Sequence, residues 1–307
     1  MKWISAEQLA ATAPYKDIVE ALRQGFRDEI ATPMRHHHET SPVTTLLLMP
    51  AWNKDFTGLK TVTVKTDNPA LNVPTVQAAY LLIDNATGTP LAMMDGTELT
   101  RRRTAAAGAL ASDYLSRADS STLLIVGAGA LAKHFVQAHA SVRPIKTVLI
   151  FSRTFVKSES LAQELLHEGF AASAVTDLEV AVGQADIISC LTTSTTAIIK
   201  GAWLKPGTHV DLAGAFKPTM RETDGDAVTL SRVYVDTLHG AEAEAGDLIQ
   251  AQVEGKFNFD RVQGDLFELC SGTKIGRKTD GEITLFKSSG TALEDLATAV
   301  MVHLRNL

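Results

Sequence analysis

Hydrophobic positions along this chain follow one rhythm in its first third and another in its middle. Near the start, Ser5 and Gln8 have the spacing of a capping box that opens a short helix, and a second helix is expected over residues 17–31. Strand-like runs follow at 44–49, 58–65 and 76–84. In the run 58–65, Leu59, Thr61 and Thr63 alternate with Lys60, Val62 and Val64, so the two sets face opposite sides of a sheet. The stretch 79–95 reads as a hairpin turning over residues 85–90, and an alanine-rich helix is expected over 100–115. From about residue 119 the pattern becomes short apolar runs separated by helix-like segments. Strands are expected at 122–126, 147–151, 171–175, 186–191, 208–213 and 232–236. That alternation describes a parallel sheet covered on both faces. From Ser289 the chain reads Ser-Gly-Thr and then an amphipathic helix over 293–304, with Leu293, Leu296, Ala297, Val300 and Leu304 at helical spacing. This last helix is too short to be a domain and is expected to return to the first one. The fold class is therefore α/β: a Rossmann parallel-sheet domain (119–288) inserted into an α+β substrate-binding and dimerisation domain (1–118 plus 289–307).

The apolar run ending at Val126 feeds directly into Gly127-Ala128-Gly129-Ala130-Leu131-Ala132. Strand, glycine turn, helix and second strand are the context a dinucleotide fingerprint requires. Gly127 allows the tight turn, Gly129 lets the backbone approach a pyrophosphate, and small Ala132 lets the helix lie close to its strand. The helix N-terminus offers N–H groups and partial positive charge to the phosphates. NAD-specific domains carry an acid at the end of the second strand, whereas this chain reads Ser152-Arg153-Thr154. Arg153, with hydrogen bonds from Ser152 or Thr154, suits a 2′-phosphate. NADPH is thus the expected cofactor, with NADH also possible. Thr192 and Thr193, after the fourth strand of the sheet, and Ser289 and Gly290, at the return to the first domain, are further candidate cofactor contacts.

Composition adds mainly exclusions. The 307 residues are 45% hydrophobic and 21% charged, with net charge −6, so no basic surplus drives binding to nucleic acid or an anionic membrane. No apolar stretch approaches the roughly 18 residues that span a bilayer. The N-terminus lacks the apolar core of a signal peptide, and Cys190 and Cys270 have no metal-ligand spacing. A cytoplasmic protein with reduced thiols is expected. His36, His37 and His38 are adjacent in an extended segment and point to alternate sides, which argues against a shared metal ion. Asp84, Asp95 and Asp236 fall at strand or turn ends, where capping is the expected role.

Several segments, taken in order, resemble the ornithine cyclodeaminase/mu-crystallin family: Met49-Pro50-Ala51, Gly58-Leu59-Lys60, Thr87 to Gly96, and Leu99 to Ala106. Gly127-Ala128-Gly129, Lys205 to Val210, Glu244 to Asp247 and Ser289 to Ala292 complete the set. The resemblance implies a dimer of two-domain chains in which three basic side chains grip the α-carboxylate of a small substrate. Matched motif by motif, these are Arg35, Lys60 and Arg103. A small anion offers little apolar area, so charge-assisted contacts must orient it. Where cyclodeaminases carry an aspartate for proton work at the amine, this chain has Phe216, in Gly214-Ala215-Phe216-Lys217-Pro218. A phenyl ring transfers no proton and makes that side of the pocket apolar. That segment, with the ending from Glu282 to Leu296, looks like the bacterial ketimine reductases of the family, which reduce Δ1-pyrroline-2-carboxylate to proline and Δ1-piperideine-2-carboxylate to pipecolate. The resemblance leaves two other readings: a cyclodeaminase using NAD+ catalytically, and a mu-crystallin-like NADPH-dependent binding protein.

Overall fold

The structure, a computed structural model, describes residues 1–307 apart from the side chain of Pro69. The chain divides into two compact units, one formed by Met1–Thr104 with Thr291–Leu307 and the other by Ala105–Gly290. The first crossing falls inside a helix at residue 104, not in the loop near 118.

The first unit opens with β1 (Lys2–Ile4), α1 (Ala6–Thr12) and α2 (Tyr15–Gly25). It continues with β2 (His36–Ser41), β3 (Thr44–Trp52), β4 (Phe56–Lys65), β5 (Val76–Asp84) and β6 (Pro90–Asp95). The capping box of Ser5 and Gln8 is present. The second helix ends at Gly25, well short of residue 31, because Ala31 is extended and exchanges backbone hydrogen bonds with Trp52 (2.8 and 3.1 Å). The strands form a six-stranded sheet in the order β1-β6-β5-β4-β3-β2, antiparallel except for the pair β1–β6. Next comes α3 (Gly96–Leu115), which starts earlier than residue 100 because the Asp95 carboxylate accepts the Glu98 N–H (2.8 Å) and caps it.

The second unit runs β7 (Thr122–Val126), α4 (Ala132–Val142), β8 (Thr147–Phe151), α5 (Phe155–His167), β9 (Ala171–Ala174), α6 (Leu178–Gln184), β10 (Ile187–Cys190) and β11 (His209–Leu212). It ends with α7 (Gly225–Leu230), β12 (Arg232–Val235), α8 (Leu238–Glu244), α9 (Gly246–Val253), β13 (Gly264–Asp265), α10 (Leu266–Ser271) and β14 (Thr284–Lys287). All eight strands are parallel, in the order β13-β12-β14-β11-β10-β7-β8-β9. β7 and β10 are neighbours although β8 and β9 lie between them in sequence. The strand order therefore reverses between β7 and β10, the switch point where such sheets take ligands at their carboxyl edge. The six expected strands are all present. Two strands beyond those expected join them, β13 and the wholly buried β14, which inserts between β11 and β12.

The chain closes with α11 (Ala292–Arg305), capped by the Thr291 side chain and packed in the first unit against α2, β3, β4 and β5. Leu293 and Leu296 of the expected stripe are fully buried, but the buried face turns away from the rest of it. Leu304 is 55% exposed, while Ala292, Asp295, Leu296, Ala299, Val302 and His303 are buried.

Candidate active site

One face of the first unit's sheet carries the cross-strand row Met49–Lys60–Tyr80–Met94–Ile4. Lys60 is therefore an ammonium set in an apolar row, and only 1% of it is exposed. A charge in that setting demands a partner, and α11 supplies it. The Lys60 Nζ lies 2.8 Å from one Asp295 oxygen and 2.7 Å from the other. Arg103, in the middle of α3 and not at its start, donates through Nε to Asp295 (2.9 Å) and through Nη1 to Glu294. Both acids are fully buried and Arg103 is nearly so. Arg35, just before β2, acts on Lys60 electrostatically. The first unit thus brings Lys60 and Arg103 onto one carboxylate, with Arg35 acting on Lys60 through its charge.

The electrostatics of the cluster follow from burial. Loss of water pushes the Lys60 ammonium down to about 8; Arg103 adds to the shift, Asp295 opposes it and Arg35 contributes in the same sense as Arg103. Burial alone would loosen the Arg103 proton, but Asp295 and Glu294 outweigh it and hold the guanidinium above its ordinary value. Beside Lys60, the Tyr80 hydroxyl is buried without a hydrogen-bond partner, and burial followed by the Asp295 charge holds its proton on. Gly58 makes room for that hydroxyl, since a Cβ there would sit 1.8 Å from it. Asp295, Glu294 and Tyr80 were not singled out from the sequence. The available signal was an acid at 295 in helical register with the buried Ala292, Ala299 and Val302.

In the second unit, Gly127 has φ +110, a conformation that favours glycine, and a Cβ there would meet the Leu191 carbonyl oxygen at 3.0 Å. A Cβ on Gly129 would meet nothing within 4 Å, so its backbone is open to a ligand. The N-terminus of α4 has no side-chain cap, which leaves its first turn to an external acceptor. A hollow of about 350 Å³ adjoins it, lined by Ala128, Gly129, Ala130, Lys133, Lys157 and Ser160 among others. These features fit the pyrophosphate of a dinucleotide. Arg153 and Thr154 are exposed after β8, whereas the Ser152 hydroxyl is engaged by the Thr154 carbonyl and by Ser158, each at 2.9 Å.

Thr192 follows β10 and Phe216 follows β11; Thr193 and Phe216 are exposed, Phe216 by 43%. The Thr192 N–H and hydroxyl both donate to Glu222, at 2.6 and 2.9 Å. The backbone N–H groups of Ser289 and Gly290 donate to the buried Asp236 carboxylate (2.7 and 2.5 Å). Asp236 therefore fastens the end of the second unit in addition to capping Thr237, while Asp84 caps a turn and Asp95 the start of α3. Ser189, His139 and Asp211 hydrogen-bond to one another, but all are fully buried, so this constellation is a core polar network and not a nucleophilic site. Cys190 and Cys270 are free and buried. Among the described residues no acidic, histidine or cysteine cluster could hold a metal ion, and no helix is long and apolar enough to cross a membrane.

The sequence matches the profile of the ornithine cyclodeaminase/mu-crystallin family over residues 4–307. The chain belongs to that family. It is 36% identical to a Δ1-pyrroline-2-carboxylate reductase of Colwellia psychrerythraea, covering 97% of each chain. Its fold matches the Thermococcus litoralis Δ1-pyrroline-2-carboxylate reductase solved with NADH and L-proline, with TM-score 0.95 and 32% identity, over 99% of this chain and 97% of that one. An archaeal alanine dehydrogenase dimer with bound NAD gives TM-score 0.93 at 29% identity, over 99% and 95%.

Proposed function

We propose that this member of the family reduces cyclic ketimine carboxylates, Δ1-pyrroline-2-carboxylate to L-proline and Δ1-piperideine-2-carboxylate to L-pipecolate, with NAD(P)H. The observation that carries the reading is the near full-length match, at TM-score 0.95, to a reductase solved with NADH and L-proline.

The reaction adds a hydride to the imine carbon and a proton to the imine nitrogen. A bound nicotinamide dinucleotide supplies the hydride. The chain's own residues bind, orient and hold the proton. Arg103 commits Nε and Nη1 to Asp295 and Glu294, which fixes the guanidinium plane and leaves Nη2 for a substrate carboxylate. Lys60 and Arg35 add positive charge beside it. With its ammonium brought down to about 8, Lys60 is poised to release and recover a proton near neutrality. Phe216 has no exchangeable proton, so the proton work of a deamination has no group at that position.

The lack of an acid at Ser152-Arg153-Thr154 and the exposure of Arg153 support a preference for NADPH over NADH. Two buried free thiols fit the cytoplasm. A homodimer is supported by the outer face of the first unit's sheet. There Pro50, Leu59, Leu81, Met93 and Trp3 are cross-strand neighbours in one row, and Trp3 is 55% exposed. An apolar row of that length fits self-association.

Incubation with L-ornithine and NAD+ separates this reading from cyclodeamination. No ammonia is expected; ammonia release with proline formation would overturn the reductase assignment.

A further inference from the structure

Glu222 is fully buried and lies just beyond the segment that contains Phe216. One of its carboxylate oxygens accepts the Thr192 N–H and hydroxyl, and the other accepts the N–H groups of Gly214 (2.8 Å) and Ala215 (3.2 Å). Its own N–H donates to Asp247 (2.7 Å), so the clamp is itself anchored. Thr192 follows β10 and Gly214 follows β11. The two loops touch: a Cβ on Gly214 would meet the Thr192 carbonyl oxygen at 2.1 Å. Thr192 in turn borders the glycine turn after β7, its Cγ2 lying 3.1 Å from where a Gly127 Cβ would be. In a sheet of this order the strands on the β8 side of the switch point serve the adenosine half of a dinucleotide, and those on the β10–β11 side serve the other half.

We propose that Glu222 is a positioning residue for the nicotinamide half of the cofactor, locking the loops after β10 and β11 so that Thr192 and the Gly214–Phe216 segment hold one fixed surface there. The inference rests on the dinucleotide reading of the site above. The charged groups that face Glu222 are Lys287 from β14 and Asp247 from α9. Cys190 of β10 is a further titratable neighbour, its thiol pushed up by burial and then by Glu222, Asp247 and Asp211. Burial raises the Glu222 carboxyl, Lys287 opposes and Asp247 raises it further, bringing it to about 7. Above that pH the carboxylate accepts all four bonds. Below it, one oxygen carries a proton and can no longer serve two donors.

The test compares NADH with ADP-ribose, which shares every part of NADH except the nicotinamide and has no group titrating near pH 7. In Glu222→Gln, where the amide NH2 faces donors that need an acceptor, NADH binding should weaken at least tenfold and ADP-ribose binding less than twofold. In the unaltered protein the NADH Kd should rise as pH falls from 8 to 6, with the ADP-ribose Kd constant. This second arm decides the matter if the variant does not fold. Equal weakening of both ligands, or neither weakened in the variant, would overturn the clamp, as would an NADH Kd independent of pH. A protein that binds NADH but reduces no ketimine would overturn the reaction reading and leave the clamp standing.

Discussion

A lysine ammonium placed among Met49, Tyr80, Met94 and Ile4 loses its water and retains its charge only because Asp295 faces it. The same carboxylate holds Arg103, and removing one member of such a buried set costs about 3–5 kcal/mol through the charge left behind. A test of Arg103 should therefore keep its charge. Arg103→Lys preserves attraction to Asp295 and Glu294 but loses the planar fork that can serve acids and substrate together. The KM for Δ1-pyrroline-2-carboxylate should rise at least tenfold in steady-state kinetics. An unchanged KM would remove Arg103 from the substrate site. Lys60 and Arg103 were legible in the sequence because each sits in a motif that resembles the family's. Their acids were not, since charged residues on a terminal helix read as its solvent face. The apolar spacing of that helix runs on to Leu304, which is exposed.

At the scale of the element, β4 is shaped by what its neighbours need. Gly58 precedes Lys60 by two residues and so faces the same side, where its missing side chain accommodates the Tyr80 ring. A Cβ there would lie 2.6 Å from the ring's Cζ and 3.1 Å from Leu296 Cδ1 of α11. Gly58→Ala should therefore lower unfolding free energy by about 1–3 kcal/mol, the usual cost of overpacking. Adding Tyr80→Phe removes the closer contact, with the hydroxyl, but keeps the one with the ring, and should restore part of the loss in denaturant melts. A neutral Gly58→Ala would contradict this packing. Strand periodicity revealed β4, β5 and the six Rossmann strands expected. It missed β14 because four residues, Thr-Leu-Phe-Lys, carry too little pattern when they run directly into Ser-Ser-Gly. The helix expected to reach residue 31 stops at Gly25 because the pairing of Ala31 with Trp52 overrides local propensity.

For the whole molecule, the discontinuous first unit explains why α11 matters so much. The last residues of the chain carry the acids that hold cations contributed by β4 and α3. The outer row of the same sheet sets the expected assembly. Wild-type protein should sediment as a dimer, and Leu81→Lys, placed in the centre of the Pro50–Trp3 row, should sediment as a monomer; a variant that stays dimeric would move the interface elsewhere. The glycine turn stands out in the sequence because its spacing falls between a strand and a helix, and Gly127 has a backbone reason, its φ of +110. The bonds that Glu222 makes to Thr192, and Asp236 to Ser289 and Gly290, were not legible, because those partners are 30 to 54 residues away and mostly backbone N–H groups, which carry no side-chain signature. The most direct test of the account is the oxidation of NADPH by purified protein given Δ1-pyrroline-2-carboxylate, with the product separated on a chiral column. One L-proline formed per NADPH consumed is the expected result, whereas tight NADPH binding without oxidation in the presence of any cyclic ketimine would contradict it.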